Sequence, residues 1–434
     1  MMEKQTKIGT VCSDFGTFQL KSVLVKNDAG DWGSEPDKDA IGVIRSTNFN
    51  NDGKLDLSDI AYRTLSKRKF EEKKLYASDI LIERSGGSET QPVGRIGYIT
   101  DEMAKTDYAF ANFIQRISLN DEVNAKFVYY CLQQMYEMGI TAGMQSQTTG
   151  IRNLDWKQYM KILLPKPTLS EQSAIAAILS KVDEAIAAVQ GSISAAERLK
   201  KSLMQNLLTG RMKPDGTLRK DDEFYVDEKF GRVPLGWEVK TIGDKDVCKI
   251  NPVYKYKKKE VYDFIPMEAI KENFEGVDYV EKQIIDNGSY TRFKAGDILF
   301  AKITPCSENG KVAYIDHIDS EVGFASTEFI VFHPTENVDG KYVYLLLSSG
   351  NVHRLAISLM EGTTGRQRIP WKIFRNRIFV PMPDKVEQTI IVDKILAFDK
   401  QIKENNNKIA VLERLKKSLM QNLLTGRVRV KISN

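Results

Sequence analysis

The sequence predicts an α+β fold: two mixed α/β globular units separated by two long helices that form an antiparallel coiled coil, arranged as a pseudo-twofold repeat. Three observations carry this reading. The run ERLKKSLMQNLLTGR stands at 197–211 and again, unchanged, at 413–427, an offset of 216 residues in a chain of 434. Upstream of each copy, apolar residues recur every three or four positions. In the stretch ahead of each copy, short β-branched and aromatic runs are separated by Gly, Ser, Asn and Pro clusters. Internal repeats of this size define architecture before any local detail does.

Residues 171–208 contain no proline and one glycine. Their stripe is Ile175, Ile178, Val182, Ile186, Val189, Ile193, Ala196, Leu199, Leu203 and Leu207, the spacing of a helix with one apolar face. Unbroken, it would span roughly 57 Å. Thr168 or Ser170 can cap its start, and Gly210 stands where a helix end favours glycine. The second helix is expected over 386–424, with Ile391, Ile395, Phe398, Ile402, Ile409, Leu412, Leu415, Leu419 and Leu423 as its stripe. Asn405, Asn406 and Asn407 interrupt it where Gly191 interrupts the first, so a kink or break is expected there in each. Long one-stripe helices must bury the stripe, and mutual antiparallel pairing does so.

Weaker matches follow the same order through both halves: LLPKPTLSEQ and FVPMPDKVEQ, TTG before a tryptophan (Trp156, Trp371), DILIERS and DILFAKI, VGRIGYI and NGKVAYI, FQLKSV and WEVKTI. Strands are expected at 41–44, 80–82, 96–99, 298–300, 312–315, 329–332 and 377–380. Shorter helices are expected near 126–138 and 341–348. The organisation is a first globular unit (1–165), a helical spacer (166–211), a linker (212–236), a second globular unit (237–382) and a second spacer (383–428).

Composition narrows the class. Hydrophobic residues make up 42% and charged residues 28%, with a net charge of +5, which permits nucleic-acid binding without demanding it. No apolar run approaches the ~20 residues that cross a bilayer. The opening MMEKQTKIGTVCSDF lacks the apolar core of a secretory signal, so a cytoplasmic protein is expected. Cys12, Cys131, Cys248 and Cys306 are scattered, and His317, His333 and His353 have no partner at metal-ligand spacing, so neither a disulfide framework nor a metal site is expected. No glycine-rich nucleotide-binding turn or GxxxxGK[ST] is present. Asn251-Pro252-Val253-Tyr254 and the set Pro214, Asp215, Glu238 and Lys240 resemble methyltransferase and nuclease motifs only superficially. A non-catalytic chain is expected.

Two polar loops recur with cations in matching places. After the DIL strand, Arg84 answers Lys302; at the far end of the same loop Arg95 answers Lys311. The second loop, QSQTTGIRN and EGTTGRQRI, carries Arg152 in the first unit and Arg366, Gln367 and Arg368 in the second. Flexible polar loops with cations suit base-edge and phosphate contacts. YKYKKKEVY adds Lys255 and Lys257 as a candidate phosphate path.

These residues resemble one family, the specificity (S) subunits of type I restriction–modification systems. The twin LKKSLMQNLLTGR segments, the P-x-P…EQ lead-ins, the TTG…WK loops and the GDILFAKITP and NGKVAY runs carry the resemblance over nearly the whole chain. It implies two target recognition domains reading the halves of an asymmetric, split site on double-stranded DNA, with helices that set the gap. It implies two modification (methyltransferase) subunits docked on the helices, with restriction subunits joining them. S-adenosylmethionine, ATP and Mg2+ would belong to those partners. Twin docking surfaces are expected at Leu199, Leu203 and Leu207 and at Leu415, Leu419 and Leu423. The rival reading is a coiled-coil scaffold that reads no DNA.

Overall fold

The computed structural model describes residues 4–88, 91–148, 151–286, 289–363 and 365–431. The chain divides into two compact units, Met1–Gln190 with Asn407–Asn434 (unit 1) and Gly191–Asn406 (unit 2). Each unit therefore holds one globular head, half of the first long helix and half of the second.

The first long helix is Leu169–Leu208 and the second Lys385–Leu423, both unbroken. The expected break at Gly191 and Asn405–Asn407 does not occur; instead, the division between units falls at those weak helix formers. In each unit the N-terminal half of one helix meets the C-terminal half of the other, which is antiparallel pairing. The contacts are twinned. Lys416 Nζ lies 2.8 Å from Asp183 Oδ1 in unit 1, and Lys200 pairs with Asp399 in unit 2. Within each helix the repeat matches as well: Asn422 donates to the Ser418 carbonyl at 2.9 Å, and Asn206 to that of Ser202 at 3.0 Å.

The helix ends explain why the repeat stops where it does. Gly210 and Gly426 both hold positive φ (68° and 72°), the left-handed turn that ends a helix. A Cβ on Gly210 would lie 2.2 Å from Pro234, and one on Gly426 2.7 Å from Cys12 Sγ. Past each glycine the chain returns to clasp the start of the opposite helix. Arg429 pairs with Glu171 (2.7 and 2.9 Å) and lies over the Phe15 ring. Arg219 pairs with Glu387 at 2.6 Å and lies over Trp237, whose indole N–H also reaches Glu387 at 2.9 Å. Residues 212–236, expected as a linker, thus supply a clasp, and they contain the hairpin Phe224–Asp227 with Gly231–Pro234.

Each head is built on one scaffold. Unit 1 has an antiparallel sheet in the order Leu24–Ala29, Ile114–Leu119, Ile80–Glu83, Ile96–Tyr98. Unit 2 repeats that order with Cys248–Ile250, Phe329–Pro334, Ile298–Ala301 and Val312–Tyr314. The strand after the DIL aspartate is buried on both faces, which is why it reads as a continuous apolar run. Ile80 and Ile82 enter one core while Leu81 enters another. Ile298 and Phe300 enter one core and Leu299 and Ala301 another. A second sheet in each head repeats a parallel pairing, Tyr108–Phe110 with Ile41–Ile44 and Gly323–Ala325 with Glu260–Ile265. The expected shorter helices lie at Ala125–Glu137 and Gly340–Ser348. Among the described residues no helix is long and apolar enough to cross a membrane.

Candidate nucleic-acid interface

In both units the fold brings the two recurring loops together at the end of the DIL strand. In unit 1 the Arg84 carbonyl accepts from Leu154 N–H at 2.8 Å, and Ser85–Gly86 pairs with Asn153 and Arg152. Ser85 donates to Asn153 Oδ1 at 2.6 Å, and Arg152 Nη1 to the Ser88 carbonyl at 2.7 Å. In unit 2 the Lys302 carbonyl accepts from Ile369 N–H at 2.8 Å, and the Gln367 carbonyl from Thr304 N–H at 3.1 Å. One loop is thereby fixed by the backbone of the other, and the side chains at their junction form a preorganised polar rim.

The rim cations are held but not buried. Arg84 donates to Gln115 at 3.1 Å and lies over Trp156. Lys302 Nζ donates to the Thr327 carbonyl at 2.7 Å. Arg368 is half exposed and binds Glu328 with Nε (3.0 Å) and Nη2 (2.8 Å), which draws the Glu328 carboxyl below its ordinary range. Arg366 is exposed, with no side-chain hydrogen bond or ion pair among the described residues. Thr149, Gly150 and Thr364 of the TTG loops, and Glu89 and Thr90 of the first loop, lie outside the described residues.

The far-end cations occupy a different setting. Arg95 is 7% exposed and binds both Glu83 oxygens (2.8 and 2.7 Å) and the Phe49 and Ser46 carbonyls. Lys311 Nζ donates to the Met267 carbonyl at 3.0 Å. Ser46 and Met267 each open an equivalent 3-10 turn, Ser46–Asn48 and Met267–Ala269. The recurrence of Arg95 and Lys311 thus has a structural cause, since each ties down the same turn, and Arg95 makes four N–H bonds to it and to Glu83. Lys255 and Lys257 are exposed but lie near the N-terminal end of strand Glu260–Ile265, whereas Ile265 and Met267 lie toward the rim. The Lys257 N–H donates to the Tyr262 hydroxyl at 2.9 Å, which ties this run to the strand before Ile265.

The helix leucines also divide. Leu207 and Leu423 are buried in the cores of units 2 and 1. Leu203 and Leu419 pack against those cores, because the antiparallel pair uses that stripe itself. Only Leu199 (52% exposed) and Leu415 (45%) of the six face solvent. Around them Arg198, Lys201, Ser202, Gln205 and Arg211 are exposed, as are Arg414, Lys417, Ser418, Gln421 and Arg427. Core packing does not require identity at exposed positions, so the repeat preserves a surface as well as a stripe.

Sequence reasoning missed Phe113 and Glu328. These residues precede the strands Ile114–Leu119 and Phe329–Pro334 and accept, through their carbonyls, from Arg84 N–H (2.8 Å) and Lys302 N–H (2.9 Å). Matching ANFI to STEFI by residue type pairs Phe113 with Phe329 instead, and a single Phe at a strand start reads as core.

Each unit thus carries one head on a repeated sheet order, and in each head the two recurring loops meet in a polar rim. The chain matches the family described as Type I restriction modification DNA specificity domain over residues 13–198 and 234–414, and it belongs to that family as a specificity subunit, itself non-catalytic. It is 24% identical over 447 residues to the putative type I restriction enzyme MjaX specificity subunit of Methanocaldococcus jannaschii, covering 99% of this chain and 97% of that one. Over 175 residues it is 34% identical to the type I restriction enzyme EcoEI specificity subunit of Escherichia coli, a match spanning 38% of this chain and 28% of that subunit. Its fold is similar to that of the type I restriction–modification S subunit from M. genitalium, with a TM-score of 0.53 at 15% identity, covering 99% of this chain and 100% of that one.

Proposed function

We propose that this specificity subunit reads an asymmetric, bipartite site on double-stranded DNA, one half-site per unit, at the rims centred on Arg84 and Arg152 in unit 1 and on Lys302, Arg366, Gln367 and Arg368 in unit 2. The observation that carries the proposal is the pairing of one scaffold with two different rims: equal sheets hold unequal side chains at the same loop junction. Two methyltransferase subunits dock on the twin surfaces around Leu199 and Leu415, and restriction subunits join that assembly. S-adenosylmethionine, ATP and Mg2+ are bound by those partners, and methyl transfer is to adenine N6. Lys255 and Lys257 serve as outlying phosphate contacts.

Selection from random-sequence duplex pools by the chain in complex with its methyltransferase tests this. A bipartite, non-palindromic consensus is expected. Retention of DNA with no enriched sequence would instead favour a scaffold that leaves recognition to its partners.

A further inference from the structure

The position just before the central strand carries Phe113 in unit 1 and Glu328 in unit 2. The two are equivalent by backbone: Ile114 pairs with Glu83 and Phe329 with Ala301, so the preceding carbonyls hold Arg84 and Lys302 in the same way. Phe113 is 47% exposed, with no ring pairing or cation contact among the described residues. Among the described residues, no contact in unit 1 accounts for an aromatic ring in water beside the Arg84 backbone. Glu328 presents a carboxylate at a rim that faces a polyanion. Neither residue can serve a phosphate: a benzyl group does not bind one and a carboxylate repels one. Both types do suit base edges. Apolar groups contact the thymine methyl, and an arginine held in a fixed fork addresses guanine O6 and N7. Arg368 meets Glu328 through Nε and Nη2, leaving Nη1 outside that pair.

We propose that this shared position sets one base pair in each half-site: Phe113 lies against a thymine 5-methyl group, and Glu328 is the positioning residue that holds Arg368 on a guanine. The inference rests on the rim being the DNA-reading surface.

Binding selection with the full chain and its methyltransferase, repeated for Phe113→Ala, Phe113→Leu, Glu328→Ala and Arg368→Lys, tests it. Phe113→Ala is expected to lower the preference for one T·A pair in one half-site roughly tenfold, with Phe113→Leu retaining most of it. Glu328→Ala and Arg368→Lys are each expected to relax one G·C pair in the other half-site by a similar factor. The wild-type complex should itself lose about tenfold on a probe with deoxyuridine for that thymine, and Phe113→Ala should show no further loss. The inference is overturned if base preferences survive every substitution, if affinity falls uniformly across sequences, or if deoxyuridine is tolerated. A wild-type complex that enriches no bipartite sequence would instead defeat the underlying reading of function.

Discussion

Units 1 and 2 carry the same sheet order on the same helical support, yet they lock it with different chemistry. Unit 1 buries ion pairs. Glu83, fully buried, holds Arg95, and Arg116, also buried, binds Asp28 at 2.9 and 3.0 Å and the Lys74 and Glu72 carbonyls. Unit 2 has Ala301 where unit 1 has Glu83, and there the Lys311 ammonium donates to the turn carbonyl of Met267. The DIL aspartates also differ in their partners: Asp79 accepts from Ser118, while Asp297 is met by His333 Nδ1 (2.7 Å) and the Tyr254 hydroxyl (2.9 Å). In both, burial raises the carboxyl above its ordinary range. What the units share is therefore backbone geometry and the loop junction. Side-chain chemistry is free to differ wherever that geometry is kept.

The largest expected effect breaks this contrast. Glu83→Ala strands a buried guanidinium and should destabilise unit 1 by about 3–5 kcal/mol, with little change in unit 2, as urea unfolding followed by hydrogen exchange in each unit would report. The helices give the next. Leu207→Ala should destabilise unit 2 and Leu423→Ala unit 1, each by about 2–5 kcal/mol, because each copy of the repeat closes the core of the unit that follows or precedes it across the clasp. Equal protection losses in both units for either variant would contradict the division. Arg84→Ala and Arg368→Ala should each weaken DNA binding by about 1–3 kcal/mol, and only for probes carrying the matching half-site. Leu199→Asp and Leu415→Asp should each remove one of two bound methyltransferase copies in native mass spectrometry without lowering the melting temperature.

The smallest effect is a histidine-linked pH response in unit 2, which contains all three histidines. His353 is buried between Phe274 and Phe300 with Nε2 2.8 Å from the Ser307 carbonyl, and burial lowers its pKa. The unfolded chain then binds the proton more readily than the folded one. Stability should fall as pH drops through about 6.5, by at most about 1.4 kcal/mol per pH unit, and His353→Gln should flatten that slope in thermal melts.

Much of this was legible in the sequence. The stripes of the long helices, the doubled DIL and TTG loops and most strands follow from periodicity and from the repeat. The convergence of the two loops was not legible, because it depends on which backbone each loop meets. Arg95 and Lys311 carry a second lesson: a cation that recurs at one place can recur to hold a turn. Arg219 and Arg429 escaped notice because they stand beyond the identical run and do not share its 216-residue offset. Phe113 and Glu328 were invisible as a pair because their equivalence lies in strand register rather than in residue type.

Replacing residues 18–165 with those of another specificity subunit, and reading methylated adenines across the genome of cells carrying the hybrid, tests the central claim most directly. One half of the bipartite site should change while the other half stays as it was. A change in both halves, or in neither, would contradict the assignment of one half-site to each unit.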